Sequence, residues 1–235
     1  MTNTDTDQQV VIPGDEITSF LQKGRNKIIL GPGLRRVANK VYACNGGILR
    51  YRSPNTYWVD SHRKRYIPER NEMVIGIVVN KQGDYFKVDI GGSEPAILSY
   101  LAFEGATKKN RVKLEIGDLV YAKLLTATRD MEPELVCINA QGKSHVMGPL
   151  ANDGYLFHCS IDLVRKMLNP KCPFDKIGDH FPYEIVIGMN GRIWLKTYTV
   201  KSTIALSKAI LASEFLSFSE IQTMCDDLIK QYANS

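Results

Sequence analysis

The sequence predicts a mixed fold: β structure through the first two domains of three, then a mixed α/β arrangement. Three observations carry it. Short apolar or alternating segments recur between Gly- and Pro-containing turns from Val10 onward. Five of them fall between Met73 and Ala140 at short intervals, the count and cadence of a five-stranded OB barrel. Beyond Gly154, strand-like runs alternate with segments of helical period. The boundaries read as a disordered tail at 1–9, a small β domain at 10–61, the barrel at 62–149 and an α/β domain at 150–235.

Composition bounds the function classes. The chain has 235 residues, 44% hydrophobic and 23% charged, an ordinary globular balance. The opening MTNTDTDQQ is polar and acidic, so neither a secretory signal nor an anchor is expected. No apolar run approaches the ~20 residues that cross a bilayer, so no membrane partner is expected. Cys44, Cys137, Cys159, Cys172 and Cys225 are odd in number and lack CxxC spacing, which reads as reduced, mostly buried thiols in an intracellular protein. His158 and Cys159 are adjacent, and strand neighbours face opposite ways, so no shared metal and no cofactor is expected. Thirty basic against 25 acidic residues leave +5, mildly favourable to a polyanionic partner. Two clusters stand out, His62-Arg63-Lys64-Arg65 and Lys108-Lys109-Asn110-Arg111-Val112-Lys113.

In the first domain, VVIPGDEI, KIILGPGL, KVYACNGGILRY and TYWVD are strand candidates. Gly31-Pro32-Gly33 lacks the Lys-Ser/Thr and long helix of a phosphate loop and reads as a turn. The domain offers β-edges but few clustered cations before Arg63, which favours a protein interface.

The barrel strands are MVIGIVVN, DYFKVDIG, PAILSYL, DLVYAKLL and PELVCINA. Alternation puts Phe86, Val88 and Ile90 in the core and Tyr85, Lys87 and Asp89 on a surface. OB barrels engage single strands through such outward aromatics and cations. Lys108, Lys109 and Arg111 add charge in a turn after the third strand, as a groove tracking a phosphate backbone requires. The plainer alternative is a solvated face and loop. Gly142 and Gly148-Pro149 read as the end of the barrel and a short linker.

The last domain reads as strand GYLFHCS, helix IDLVRKML capped by Ser160 and ended by Asn169-Pro170, an irregular NPKCPFDKIGDH, a hairpin and two closing helices. The hairpin, YEIVIGMNGRIWLK, is expected to turn on Asn190-Gly191 alone, a pair that tolerates positive φ. Gly188-Met189-Asn190-Gly191 also matches GxxG, which clamps four nucleotides in KH domains. That loop joins helices, whereas this one joins strands, so turn geometry is the reading favoured here. On the last helix Phe218, Ile221, Met224, Cys225, Leu228, Ile229 and Tyr232 share a face, and Ser217 with Glu220 forms a capping box.

FEGATKKNR (103–111), RDMEPELVCI (129–138) and GMNGRIW (188–194), in this domain order, resemble the RNA-binding cap subunits of the eukaryotic RNA exosome over nearly the whole chain. The resemblance implies an S1-type OB domain and a KH-like C-terminal domain in a catalytically inert subunit. Its partners would be RNase PH-like ring subunits, other cap subunits and single-stranded RNA threaded towards a separate nuclease. It places the protein in nucleus, nucleolus and cytoplasm. Gly188, Asn190 and Gly191 match the family's GxNG, expected to dock the KH-like domain on the barrel. NPKCP, without glycine, stands where a KH clamp would be. The candidate RNA-binding residues are Tyr85, Lys87, Lys108, Lys109 and Arg111.

Two other classes stay open. A nuclease would need converging carboxylates, yet Asp89, Asp118 and Asp130 are isolated and Asp226 and Asp227 diverge on a helix. His62, His145, His158 and His180 share no spacing. A free-standing S1/KH module would bind RNA without a ring.

Overall fold

The computed structural model describes residues 9–21, 28–62, 65–128, 131–170, 172–178, 180 and 182–233. The tail at 1–8, Arg63, Lys64, Arg129, Asp130, Lys171 and the Tyr232 side chain lie outside the described residues. The chain divides into two compact units, Met1–His62 and Arg63–Ser235.

In the first unit, β1 (Val10–Val11), β2 (Ile29–Leu30), β5 (Gly47–Arg52) and β6 (Thr56–Asp60) form one sheet in the order β1-β5-β6-β2, and β3 (Leu34–Val37) and β4 (Lys40–Ala43) form a separate hairpin. The period-two alternation of TYWVD buries Tyr57 and Val59 with Val11, Ile17, Leu21, Val41 and Ala43. Gly31-Pro32 continues along β6 before the chain turns. The Gly31 N–H donates to the Tyr57 carbonyl at 2.7 Å, and the Val59 N–H donates to the Pro32 carbonyl at 3.0 Å.

The second unit begins with the barrel: β7 (Met73–Gln82), β8 (Tyr85–Asp89), β9 (Ala96–Ser99), β10 (Leu119–Thr128) and β11 (Met131–Val136). The order is β11-β9-β8-β7-β10, closed by a β10–β11 pairing. The β9–β11 pairing is parallel and the other pairings within the barrel are antiparallel. Phe86, Val88 and Ile90 are essentially solvent-free beside Val74, Val78, Leu98, Val120 and Leu124. Gly148-Pro149 is no linker. It forms β12 (Gly148–Pro149), paired with Val120 and Tyr121 of β10, an edge position where the missing proline N–H is tolerated.

The remainder comprises β13 (Tyr155–His158), α1 (Ile161–Met167), α2 (Asp175–Gly178), β14 (Tyr183–Gly188), β15 (Arg192–Thr197), α3 (Val200–Ala212) and α4 (Phe218–Ala233), with sheet order β13-β15-β14. Ser160 caps α1, its Oγ accepting the Leu163 N–H at 3.1 Å. The segment read as irregular contains α2, too short to leave a periodic signal. Phe157, Leu163, Ile177, Ile193, Leu195, Leu206, Ile210, Ile221 and Cys225 make the core. Ser217 and Glu220 form the reciprocal cap of α4: the Glu220 carboxylate accepts the Ser217 N–H at 2.7 Å and the Ser217 hydroxyl accepts the Glu220 N–H at 3.4 Å. Lys166 of α1 closes the other end of α3, its Nζ donating to the carbonyls of Ser213 at 2.7 Å, Glu214 at 3.1 Å and Leu216. A cation there satisfies carbonyls that a helix C-terminus leaves open. Among the described residues no helix is long and apolar enough to cross a membrane.

The hairpin turn differs from the expected two-residue form. Gly188 pairs with Arg192, so Met189, Asn190 and Gly191 form the loop, with the Gly191 N–H donating to the Gly188 carbonyl at 3.2 Å. Gly191 has a φ of 77°, and Asn190 is not among the positive-φ residues. This is a turn closed by a glycine in the left-handed region. The physical reason lies in Asn190, whose side chain is committed to the barrel.

Candidate nucleic-acid interface

Two structural features of the second unit bear on function: the outward face of β8 with the loop after β9, and the GxNG turn.

The loop is anchored at its base by Phe103 and Leu114, both buried in the barrel core. At its tip the Thr107 N–H donates to the Asn110 carbonyl and the Asn110 N–H to the Thr107 hydroxyl, each at 3.0 Å. This tight turn presents Lys108 and Lys109 to solvent. Arg111 folds back: its Nε donates to the Lys108 carbonyl at 3.3 Å, its guanidinium lies 3.3 Å from Asp84 and 5.4 Å from the centre of the Tyr100 ring. Tyr100 in turn packs on Phe86, with ring centroids 4.2 Å apart. Tyr85 follows Asp84 on β8, half-buried, its hydroxyl donating to Gln82 at 2.8 Å. Arg111 is thereby tied to the end of β8 that carries Tyr85. Lys87 lies two residues along that strand, 3.7 Å from Glu132. The cations flank aromatic groups, the combination that single-strand binding uses. The sequence places Tyr100 within the strand PAILSYL and does not single it out; the strand ends at Ser99, and the ring's place beside Arg111 depends on the loop folding back.

Asp89, grouped by alternation with Tyr85 and Lys87, is engaged elsewhere. Arg192, the residue after the GxNG turn, donates from Nη2 to the Asp89 carboxylate and from Nη1 to the Asp89 carbonyl, both at 2.5 Å. Beside it Asn190 donates to the Ile75 carbonyl at 2.9 Å and the Ile90 carbonyl at 2.8 Å, and accepts the Ile75 N–H at 3.3 Å. The Met189 N–H donates to the Met73 carbonyl at 2.8 Å. Asn190 and Arg192 are 8% and 5% exposed, so the turn faces the barrel and not a ligand. Gly188 permits this approach, since a Cβ there would lie 2.4 Å from Asn190 Oδ1 and 2.8 Å from the Ile75 nitrogen.

Burial pushes the Asp89 carboxyl up, but the Gly91 N–H and the Arg192 guanidinium outweigh it and hold the group below its ordinary range. A depressed carboxyl contributes stability that is complete above the unfolded value and is lost as pH falls through the folded one. The thermal midpoint of the protein should therefore drop on acidification below about pH 4. Asp89→Asn should show a shallower drop; equal acid sensitivity in both proteins would contradict this role.

Among the described residues no group of three His, Cys, Asp or Glu side chains is placed to hold a metal ion. Asp118 accepts the Glu115 N–H at 2.7 Å, a turn-forming bond.

A barrel of this topology joined through its first strand to a three-stranded α/β domain defines the class of S1-KH proteins. A family model for the S1 domain of exosome complex component RRP40 matches residues 66–148, a KH domain model matches 154–201, and the N-terminal model of the mammalian component matches 9–62. The exosome complex component RRP40 of Drosophila melanogaster is 48% identical over 221 residues, covering 93% of this chain and 95% of the relative. That of Homo sapiens is 43% identical, covering 89% and 86%. That of Saccharomyces cerevisiae is 32% identical, covering 86% and 87%. One crystal structure, of a candidate exosome RNA-binding protein, superposes with a TM-score of 0.56 at 21% identity over 72% of this chain and 99% of the other, which bears on the fold alone. The chain belongs to the exosome complex component RRP40 family.

Proposed function

We propose that this chain is a non-catalytic RNA-binding cap subunit of the RNA exosome, which stabilises an RNase PH-like ring beside other cap subunits and guides single-stranded RNA into the channel. The observation that carries the RNA contact is the convergence of Tyr100 and Arg111 on the strand end that holds Tyr85, with Lys108 and Lys109 extended into solvent beside Arg111. The relatives, themselves exosome complex components, support the exosome assignment. The pairing of Asp89 with Arg192 and the turn-forming bond of Asp118 give both carboxylates a structural part, which supports an inert role. Nuclear, nucleolar and cytoplasmic residence is part of the same proposal.

Contact through these groups is electrostatic and tolerant of sequence. The triple charge reversal Lys108→Glu, Lys109→Glu, Arg111→Glu should weaken oligo(U) binding and reduce the slope of log K against log salt by about 2, at roughly 0.7 per phosphate contact. Unchanged affinity and slope, measured by fluorescence anisotropy on a protein of normal melting temperature, would remove these residues from the interface. A free-standing RNA-binding module is the alternative; co-purification with ring proteins separates the two.

A further inference from the structure

The first unit carries a charge imbalance that the linear sequence disperses. Between Val10 and His62 there are eight Lys or Arg and three Asp or Glu, a formal +5, equal to the net charge of the entire chain. The remaining residues are balanced overall. Reading along the chain these cations look scattered; the sheet collects some of them.

In the β5–β6 ribbon, Leu49 and Tyr51 share a face with Tyr57 and Val59, whose buried side chains belong to the unit's core. Alternation puts Arg50, Arg52, Thr56 and Trp58 on the other face. The register sets Arg50 directly opposite Trp58 and Arg52 opposite Thr56. Directly paired residues on one face have Cβ atoms about 5 Å apart, and diagonal ones are still within reach of long side chains. Trp58 therefore has Arg50 directly across from it and Arg52 diagonal to it on β5, two positions about 7 Å apart along the strand at roughly 3.4 Å per residue.

Three further facts distinguish this face from an ordinary solvated one. Trp58 is only half-buried, although indole is a costly group to leave against water. The residue just past β2, beside Trp58, is Gly31, where a Cβ would stand 2.9 Å from the Trp58 Cβ, so this position brings no side chain alongside Trp58. Arg52 is exposed and makes no ion pair among the described residues, while Arg50 has a long one, 3.6 Å to Asp60, with both side chains 42% exposed. Positive charge beside a partly exposed aromatic plane is the arrangement that tracks a phosphate backbone while stacking a base.

We infer that the outer face of the β5–β6 ribbon, Arg50, Arg52 and Trp58, is a second contact surface for single-stranded RNA. It deepens the proposed function and is independent of the barrel face. The guanidiniums take neighbouring phosphates and the indole stacks one base without regard to its identity.

The experiment uses the full chain and a twelve-residue oligo(U). Of the two tryptophans, Trp194 is 3% exposed, so stacking should quench Trp58 fluorescence saturably. Trp58→Phe should abolish the quenching. Arg50→Gln with Arg52→Gln should reduce the salt slope by about 1.4 and leave the melting temperature unchanged. The quenching should persist in the triple charge reversal of the barrel loop, which separates this surface from that one. Binding that responds only to the barrel substitutions, with no quenching of Trp58, overturns the inference and leaves the barrel reading intact. Loss of assembly with other exosome subunits in the arginine variant, at unchanged RNA affinity, also overturns it and marks the face as a protein contact.

Discussion

Replacing Asn190 by valine is expected to lower the thermal midpoint of the second unit by about 6–12 °C while RNA affinity, measured well below the transition, stays at the wild-type value. The side chain fits, but its hydrogen bonds do not survive. The Ile90 carbonyl loses the Asn190 amide, the Ile75 N–H loses its acceptor, and the Ile75 carbonyl keeps only the longer bond from Arg192 at 3.3 Å. A buried polar group left unpaired costs about 1–3 kcal/mol, so two of them cost roughly 3 kcal/mol. At about 2–4 °C per kcal/mol for a domain of this size, that gives the stated shift. Normal melting with weakened RNA binding would instead make the turn a nucleotide contact.

Gly188→Val should be more damaging, with a loss of about 4 kcal/mol or more and reduced soluble yield. The position needs space, not conformational freedom, for its φ lies outside the left-handed region. The added Cβ would meet Asn190 Oδ1 at 2.4 Å, the Ile75 nitrogen at 2.8 Å and the Arg192 carbonyl at 3.2 Å. None of the three is a flexible end: two are backbone and one is held by its own bonds. Gly105→Ala is the control. Gly105 has a φ of 68° with nothing within 4 Å of the added Cβ, so only the left-handed penalty of about 1–2 kcal/mol applies. Urea denaturation of the two variants should separate them clearly. Equal effects would mean that the turn does not hold the α/β domain against the barrel.

The parts of the fold governed by local periodicity were legible in the sequence. DYFKVDI states which of its residues point inward, and the burial of Phe86, Val88 and Ile90 follows from that alone. Ser160 and the Ser217–Glu220 pair announce helix starts through capping chemistry within one turn of chain. What was not legible depends on residues far apart in sequence. Asn190 and Gly191 look like an ordinary two-residue turn until the Ile75 and Ile90 backbones, about a hundred residues earlier, are brought alongside. Asp89 reads as part of an open face until Arg192 reaches it. Gly148-Pro149 looks like a boundary because two residues are too few to display alternation. Trp58 shows the same limit for function, since its position across from Arg50 and diagonal to Arg52 is a matter of register and not of spacing.

The division of labour between an RNA-facing barrel surface and an internal GxNG turn is tested most directly by ultraviolet crosslinking of uridine-rich RNA to the assembled complex, followed by peptide mapping. Crosslinks are expected on the segments containing Tyr85, Tyr100 and Lys108 to Lys113. Crosslinks on Met189 to Arg192, with none on those barrel segments, would contradict it.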